Sequence, residues 1–155
     1  MMATQEASST DRIEKRVELR ATRARVWRAI ASAKEFATWF RVKLDGEFAV
    51  GKTVHGQITV PNYEHVKIEM QIQKMDAERY FAYRWHPACT DPKVDYSKEP
   101  TTLVEFTLED AGDGCVLTIV ESGFDKLPAD RRAEAFRQNE GGWRGCVAAI
   151  EKYVA

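Results

Sequence analysis

Six positions near the C-terminus limit what this chain can fold into more than any other feature. Phe136, Glu140, Trp143, Val147, Ile150 and Val154 recur at intervals of four, three, four, three and four. That spacing puts them on one face of a continuous helix. Pro128 suits a first helical turn, where its missing N–H has no intrahelical partner to lose, so the helix is expected from Ala129 onward. Two features break the stripe. Glu140 sets a charge on the apolar face, and Gly141 and Gly142 stand mid-helix, where each glycine costs roughly 1 kcal/mol relative to alanine.

The rest of the chain supplies strands for this helix to cover. Residues 13–19 alternate apolar and charged side chains, so Ile13, Val17 and Leu19 can share an inner face. Thr22 stands where a helix N-cap belongs, ahead of a helical piece over 23–30, and a second piece over 34–39 ends at Trp39 and Phe40. Strands are then expected over 54–60, 65–73, 80–86, 102–108 and 115–121, the last two forming a hairpin about residues 111–114. The long polar connection 87–100 reads as a mobile lid over one mouth of the interior. An antiparallel sheet with one wet face must cover the other, and only the C-terminal helix is large enough to do it. The expected fold is therefore α+β, a curved antiparallel sheet gripping a long C-terminal helix, with two short helices after the first strand.

With 155 residues and 44% hydrophobic side chains, one core is expected over residues 12–155, behind a polar disordered tail of residues 1–11. The formal charge of -1 removes the basic footprint that nucleic acid or an anionic membrane would require. No stretch approaches the roughly 18 apolar residues of a membrane span. Cys89, Cys115 and Cys146 are widely spaced without a CxxC, which points to reduced thiols and a cytoplasmic protein rather than a disulfide framework or zinc site. His55, His65 and His86 are scattered, and no phosphate-binding glycine loop or nucleophile elbow is present, so neither metal nor cofactor is expected.

Several separated motifs resemble one family. T-R-A-R-V-W-R-A-I at 22–30 and F-A-T-W-F at 36–40 resemble the opening of the START-like, helix-grip superfamily, also called Bet v-like or SRPBCC. V-E-F-T-L at 104–108, E-S-G-F at 121–124 and N-E-G-G-W at 139–143 resemble the family named after the C-terminal domain of the activator of heat shock protein 90 ATPase. The resemblance spans residues 13–154 and implies a hydrophobic cavity between sheet and long helix, used in some members for lipids, sterols or polyketides. It also implies a chaperone or a second copy of the chain as a possible partner.

Candidate site residues are those expected to face that interior. Leu117, Ile119 and Glu121 share a strand face, so Glu121 is expected at the cavity. Glu140 is expected on the covering face of the helix, as a ligand contact, in an ion pair with a nearby arginine such as Arg41 or Arg137, or exposed at the helix rim. Phe81, Tyr83 and Trp85 alternate on one strand, Phe106 lies on another, and Trp39, Phe40, Phe136 and Trp143 come from helices facing them. The expected function is non-enzymatic binding of a small hydrophobic molecule. Two alternatives stand beside it: a chaperone-associated interaction module, and a small cyclase or hydrolase using Glu121, Glu140 or His86 as acid or base. No catalytic residue is assigned.

Overall fold

The computed structural model describes residues 10–155. Most of the expected tail lies outside them, but Thr10 and Asp11 belong to the ordered domain. Asp11 accepts the backbone N–H of Gly123 and Phe124 through its carbonyl, and that of Asp125 through its carboxylate. Strand β1 (Arg12–Leu19) leads into helices α1 (Arg23–Ala31) and α2 (Ala33–Phe40). Strands β2 (Val42–Leu44), β3 (Thr53–Ile58), β4 (Lys67–Asp76), β5 (Tyr80–Trp85), β6 (Thr102–Ala111) and β7 (Gly114–Ser122) follow. Helix α3 (Ala129–Val154) closes the chain. The seven strands form one antiparallel sheet in the order β1-β7-β6-β5-β4-β3-β2.

Local chemistry accounts for the element ends. The Thr22 hydroxyl accepts from the backbone N–H of Arg25 at 3.1 Å, which caps α1 as its position implies. Ser32 ends α1 and caps α2 by accepting from Glu35 N–H. Ala111 pairs with Gly114, leaving Gly112 and Asp113 as a two-residue turn, and Gly112 supplies the positive φ that this turn needs. Strand β2 is an addition to the expected set, since three residues are too few to carry a periodicity. Strand β4 also departs from regular alternation, through a register shift between Ile72 and Lys74.

The core lies between one face of the sheet and the three helices. Leu117 and Ile119 of β7, Val104, Phe106 and Leu108 of β6, and Phe81, Tyr83 and Trp85 of β5 are all buried, as their alternation requires. On α3, Trp143, Ile150 and Val154 are buried, whereas Phe136 and Val147 are half-buried. The glycines are not there to let α3 approach the sheet closely. A Cβ placed on Gly141, Gly142 or Gly145 would meet nothing within 4 Å.

The connection between β5 and β6, expected as a mobile lid, is strapped to α3 by one arginine. Arg131 of α3 donates to Glu99 at 2.8 Å, to the Pro87 carbonyl at 2.8 Å and to the Ala88 carbonyl at 3.3 Å. Its guanidinium also lies 4.6 Å from the centre of the Tyr96 ring, at a short 3-10 turn, Tyr96–Lys98. One arginine thus ties both ends and the middle of the connection to the helix.

Candidate functional site

The site is organised around a buried carboxylate. Val104 of β6 pairs with Glu121 of β7, and Trp85 of β5 pairs with Thr102 of β6, which brings Trp85, Thr102 and Glu121 together on the inner face. Glu121 and Thr102 are fully buried. Glu121 Oε2 accepts from Trp85 Nε1 at 2.7 Å and from Thr102 Oγ1 at 2.5 Å. Glu121 Oε1 accepts from Asn139 Nδ2 at 2.8 Å and from Trp143 Nε1 at 2.7 Å, both from α3. All four donors are neutral. Burial raises the Glu121 carboxyl above its ordinary range, and the four hydrogen bonds oppose that shift without cancelling it. This one side chain bonds two strands to the helix that covers them.

Aromatic rings fill the seam around it. Trp85 and Trp143 lie 5.8 Å apart between ring centres, Phe106 lies 5.9 Å from Trp143, and Tyr83 lies 5.1 Å from Trp85. Trp39 is locked in this cluster by donating to the Ala29 carbonyl at 2.8 Å. In place of the hydrophobic cavity implied by the family resemblance, the seam holds two clefts that share Phe40 in their lining. The first, of about 150 Å³, is lined by Phe40, Trp85, Asn139, Gly142, Trp143 and Cys146. The second, of about 160 Å³, shares Phe40, Trp85 and Asn139, and adds the ends of β3, β4 and β5 and the start of the strap. Phe40 is half-buried at the end of α2, 6.1 Å from the Trp85 ring and 6.2 Å from the Trp143 ring. The next residue, Arg41, takes the left-handed φ of 65° that ends the helix.

The expected residues divide into three groups. Phe40, Trp85 and Trp143 line the clefts, with Glu121 bonded directly behind them. Trp39, Phe81, Tyr83 and Phe106 are buried in the adjoining core. Phe136 and Glu140 line neither cleft. Phe136 instead packs edge-on against Phe124 at 5.3 Å. Glu140 accepts from Lys15 of β1 and from Arg144, not from Arg41 or Arg137, and its side chain is 30% exposed. The Lys15 hydrogen bond lowers its carboxyl below the ordinary range. The physical reason is helical phase. Each residue advances about 100°, so Asn139 lies roughly 40° from Trp143 on one side and Glu140 roughly 60° away on the other. Asn139 turns with Trp143 toward Glu121, and Glu140 turns toward the rim at β1.

Sequence reasoning missed Asn139, Thr102 and Cys146 as site residues, and it considered His86 only as an acid or base. Asn139 had a readable signal, a polar residue one turn before a buried tryptophan. Thr102 had none, because its role depends on cross-strand register. Burial pushes the Cys146 thiol up to about 12, which disfavours the thiolate. Burial likewise raises the Cys89 thiol to about 11. No cluster of His, Cys, Asp or Glu able to hold a metal occurs among the described residues. Among those residues, too, no helix is long and apolar enough to cross a membrane.

A curved antiparallel sheet, a long covering helix and a seam between them define a helix-grip protein of the START-like class. The chain belongs to the family described as Activator of Hsp90 ATPase homolog 1-like protein, whose model matches residues 20–155. Comparison with curated proteins gives no match. Among solved structures the chain is similar to protein Ms6760 from Mycobacterium smegmatis, with a TM-score of 0.74 at 15% identity over 94% of this chain and 91% of that one. It is also similar to the Aha1 dimer from Colwellia psychrerythraea, with a TM-score of 0.70 at 12% identity over 92% and 95% of the two chains. A third likeness is to DynU16, a protein of the dynemicin biosynthetic locus, with a TM-score of 0.70 at 20% identity. That match covers 92% of this chain but only 46% of DynU16. At these identities the likeness is one of fold.

Proposed function

We propose that the chain binds a small apolar molecule in the seam between α2, β5 and α3, with Phe40 as the movable wall. The observation that carries this reading is the pair of clefts that share Phe40, Trp85 and Asn139. Joined, they reach the lower end of the roughly 300–1,000 Å³ usual for small-molecule sites. Gly142 lines the first cleft, and with Gly141 and Gly145 it gives up helix propensity where no packing asks for it. Glu121 fits a supporting role, because its four acceptor positions are filled by the groups that hold the cleft walls. An acid–base role for it is not proposed.

The test is native mass spectrometry of freshly purified protein beside a Phe40→Trp variant, whose larger ring fills the space. A bound small molecule retained by the wild type and lost from the variant is the expected result. Identical spectra of empty protein, together with tryptophan fluorescence unmoved by naphthalene, would contradict it. A second reading, a protein-interaction module, draws on the family description and on how fully aromatic rings occupy the seam. Anchors for it are sparse among the described residues. Val50, Tyr63 and Val94 are the exposed large apolar side chains, and each lies on a different connection. Adding the purified domain to a chaperone ATPase is expected to leave its turnover unchanged, and stimulation would favour this second reading.

A further inference from the structure

Very few groups hold the connection 87–100 to the body of the protein. No residue from 88 to 100 is buried, and only Ala88 among them packs against the apolar core. A segment with so little buried apolar surface opens at low cost unless polar contacts hold it. Here those contacts converge on one side chain. Arg131, itself partly buried, bonds Glu99 and the carbonyls of Pro87 and Ala88, and lies over the face of Tyr96. A second tie comes from His65, whose Nε2 lies 3.0 Å from the Thr90 carbonyl in an exposed position.

Two features weigh against the closed strap. Ala88 takes a left-handed φ of 53°, where its Cβ crowds the following carbonyl. Beside it, His86 Nε2 is buried without a hydrogen-bond partner, a cost that entering water would remove. Both residues line the second cleft, together with Cys89 and Thr90. Trp85, Asn139 and Trp143, in contrast, are bonded to Glu121. Apart from Phe40, the strap is the part of the cleft walls that can leave while the Glu121 network stays whole.

Resting on the cleft reading above, we propose that residues 88–100 are the gate through which a ligand reaches the second cleft, with Arg131 as its latch. The strap lifts when Arg131 releases Glu99 and the two carbonyls and Ala88 leaves the left-handed region. It closes again over the bound molecule. A latch fastened in both the empty and the filled protein sets how fast a ligand passes, not how tightly it is held. A wall of the site behaves differently, because its loss chiefly speeds release.

The test is stopped-flow mixing of naphthalene with the wild type, Arg131→Ala and Glu99→Gln, read from tryptophan fluorescence. Thermal melting checks that each variant is folded, and Glu99→Gln carries the test if Arg131→Ala is not. Arg131→Ala is expected to raise the association and dissociation rates together, each by about tenfold or more, as its charge-assisted hydrogen bonds are lost. Its Kd should stay within about twofold of the wild-type value. Glu99→Gln should raise both rates by a smaller common factor. Rates unchanged in both variants would show that the ligand enters elsewhere, which overturns the gate and leaves the cleft reading standing. A rise in the dissociation rate alone would make the strap a wall of the site and overturn the gate in the same way. No naphthalene bound by the wild type would overturn the cleft reading, and the gate with it.

Discussion

Glu121 and Glu140 are both glutamates on elements that face the sheet–helix seam, yet their environments drive them in opposite directions. Glu121 is fully buried, meets four neutral donors and is raised by desolvation. Glu140 sits at the rim, meets Lys15 and Arg144, and is lowered by the Lys15 hydrogen bond. The comparison shows that a charge on an apolar stripe is weak evidence for a site. Long side chains near a rim can reach water and counter-charges, whereas a carboxylate buried on the inner face of β7 cannot. The buried position on β7 therefore carries the structural weight.

The largest expected effects come from dismantling the Glu121 network. Trp143→Ala removes a buried indole together with one of the four donors, and should lower stability by about 3–5 kcal/mol in chemical denaturation. An unchanged midpoint would show that Trp143 is not the anchor of α3. Glu121→Gln is milder but more diagnostic. It replaces one accepting oxygen with an NH₂ that faces two donors; Thr102 can turn its hydroxyl and Asn139 can flip its amide to accept, but neither indole can. A loss of about 1–3 kcal/mol is expected. A variant as stable as wild type would mean that the carboxyl is already protonated and donating to Thr102.

The same variant carries the pH dependence. The folded carboxyl is raised above its unfolded value, so between the two the folded state binds more protons than the unfolded state. Glu121 therefore supports stability at low pH, and that support is lost as pH rises from about the ordinary glutamate value of 4.5 through the folded value. Denaturation of wild type and Glu121→Gln across this window should show the slope in wild type alone.

Next in size is the strap. Arg131→Ala should lower stability by about 1–2 kcal/mol, through lost charge-assisted hydrogen bonds. It should also speed amide exchange in residues 87–100 while leaving β4 protected, and unchanged exchange would show that the strap holds itself. Glu140→Gln should have the smallest effect, and added salt should shrink it further because Arg144 is exposed and the Lys15 pair lies at a rim partly open to water. A Glu140 variant as damaging as Glu121→Gln would break the comparison.

Much of the architecture was legible before any coordinates. Period-two alternation placed the inner faces of β1, β5, β6 and β7, and Thr22 marked the start of α1 because its cap is a local hydrogen bond. The site was only partly legible. Trp85, Trp143 and Glu121 could be assigned to the interior from their spacing, but their mutual bonding depends on register across three strands. A stripe of fours and threes did not resolve Asn139 from Glu140, since both lie within about 60° of Trp143. The strap was missed for the same nonlocal reason. Nothing near Arg131 in sequence reveals that Glu99 and Tyr96 wait for it.

The most direct test of the account is a carboxyl-carbon NMR titration of protein labelled with carbon-13 glutamate, with Glu121→Gln and Glu140→Gln assigning the two signals. Glu121 is expected to titrate above 4.5 and Glu140 below it, in the same sample. A Glu121 signal that titrates with the surface glutamates, at or below 4.5, would contradict the buried network on which the clefts depend.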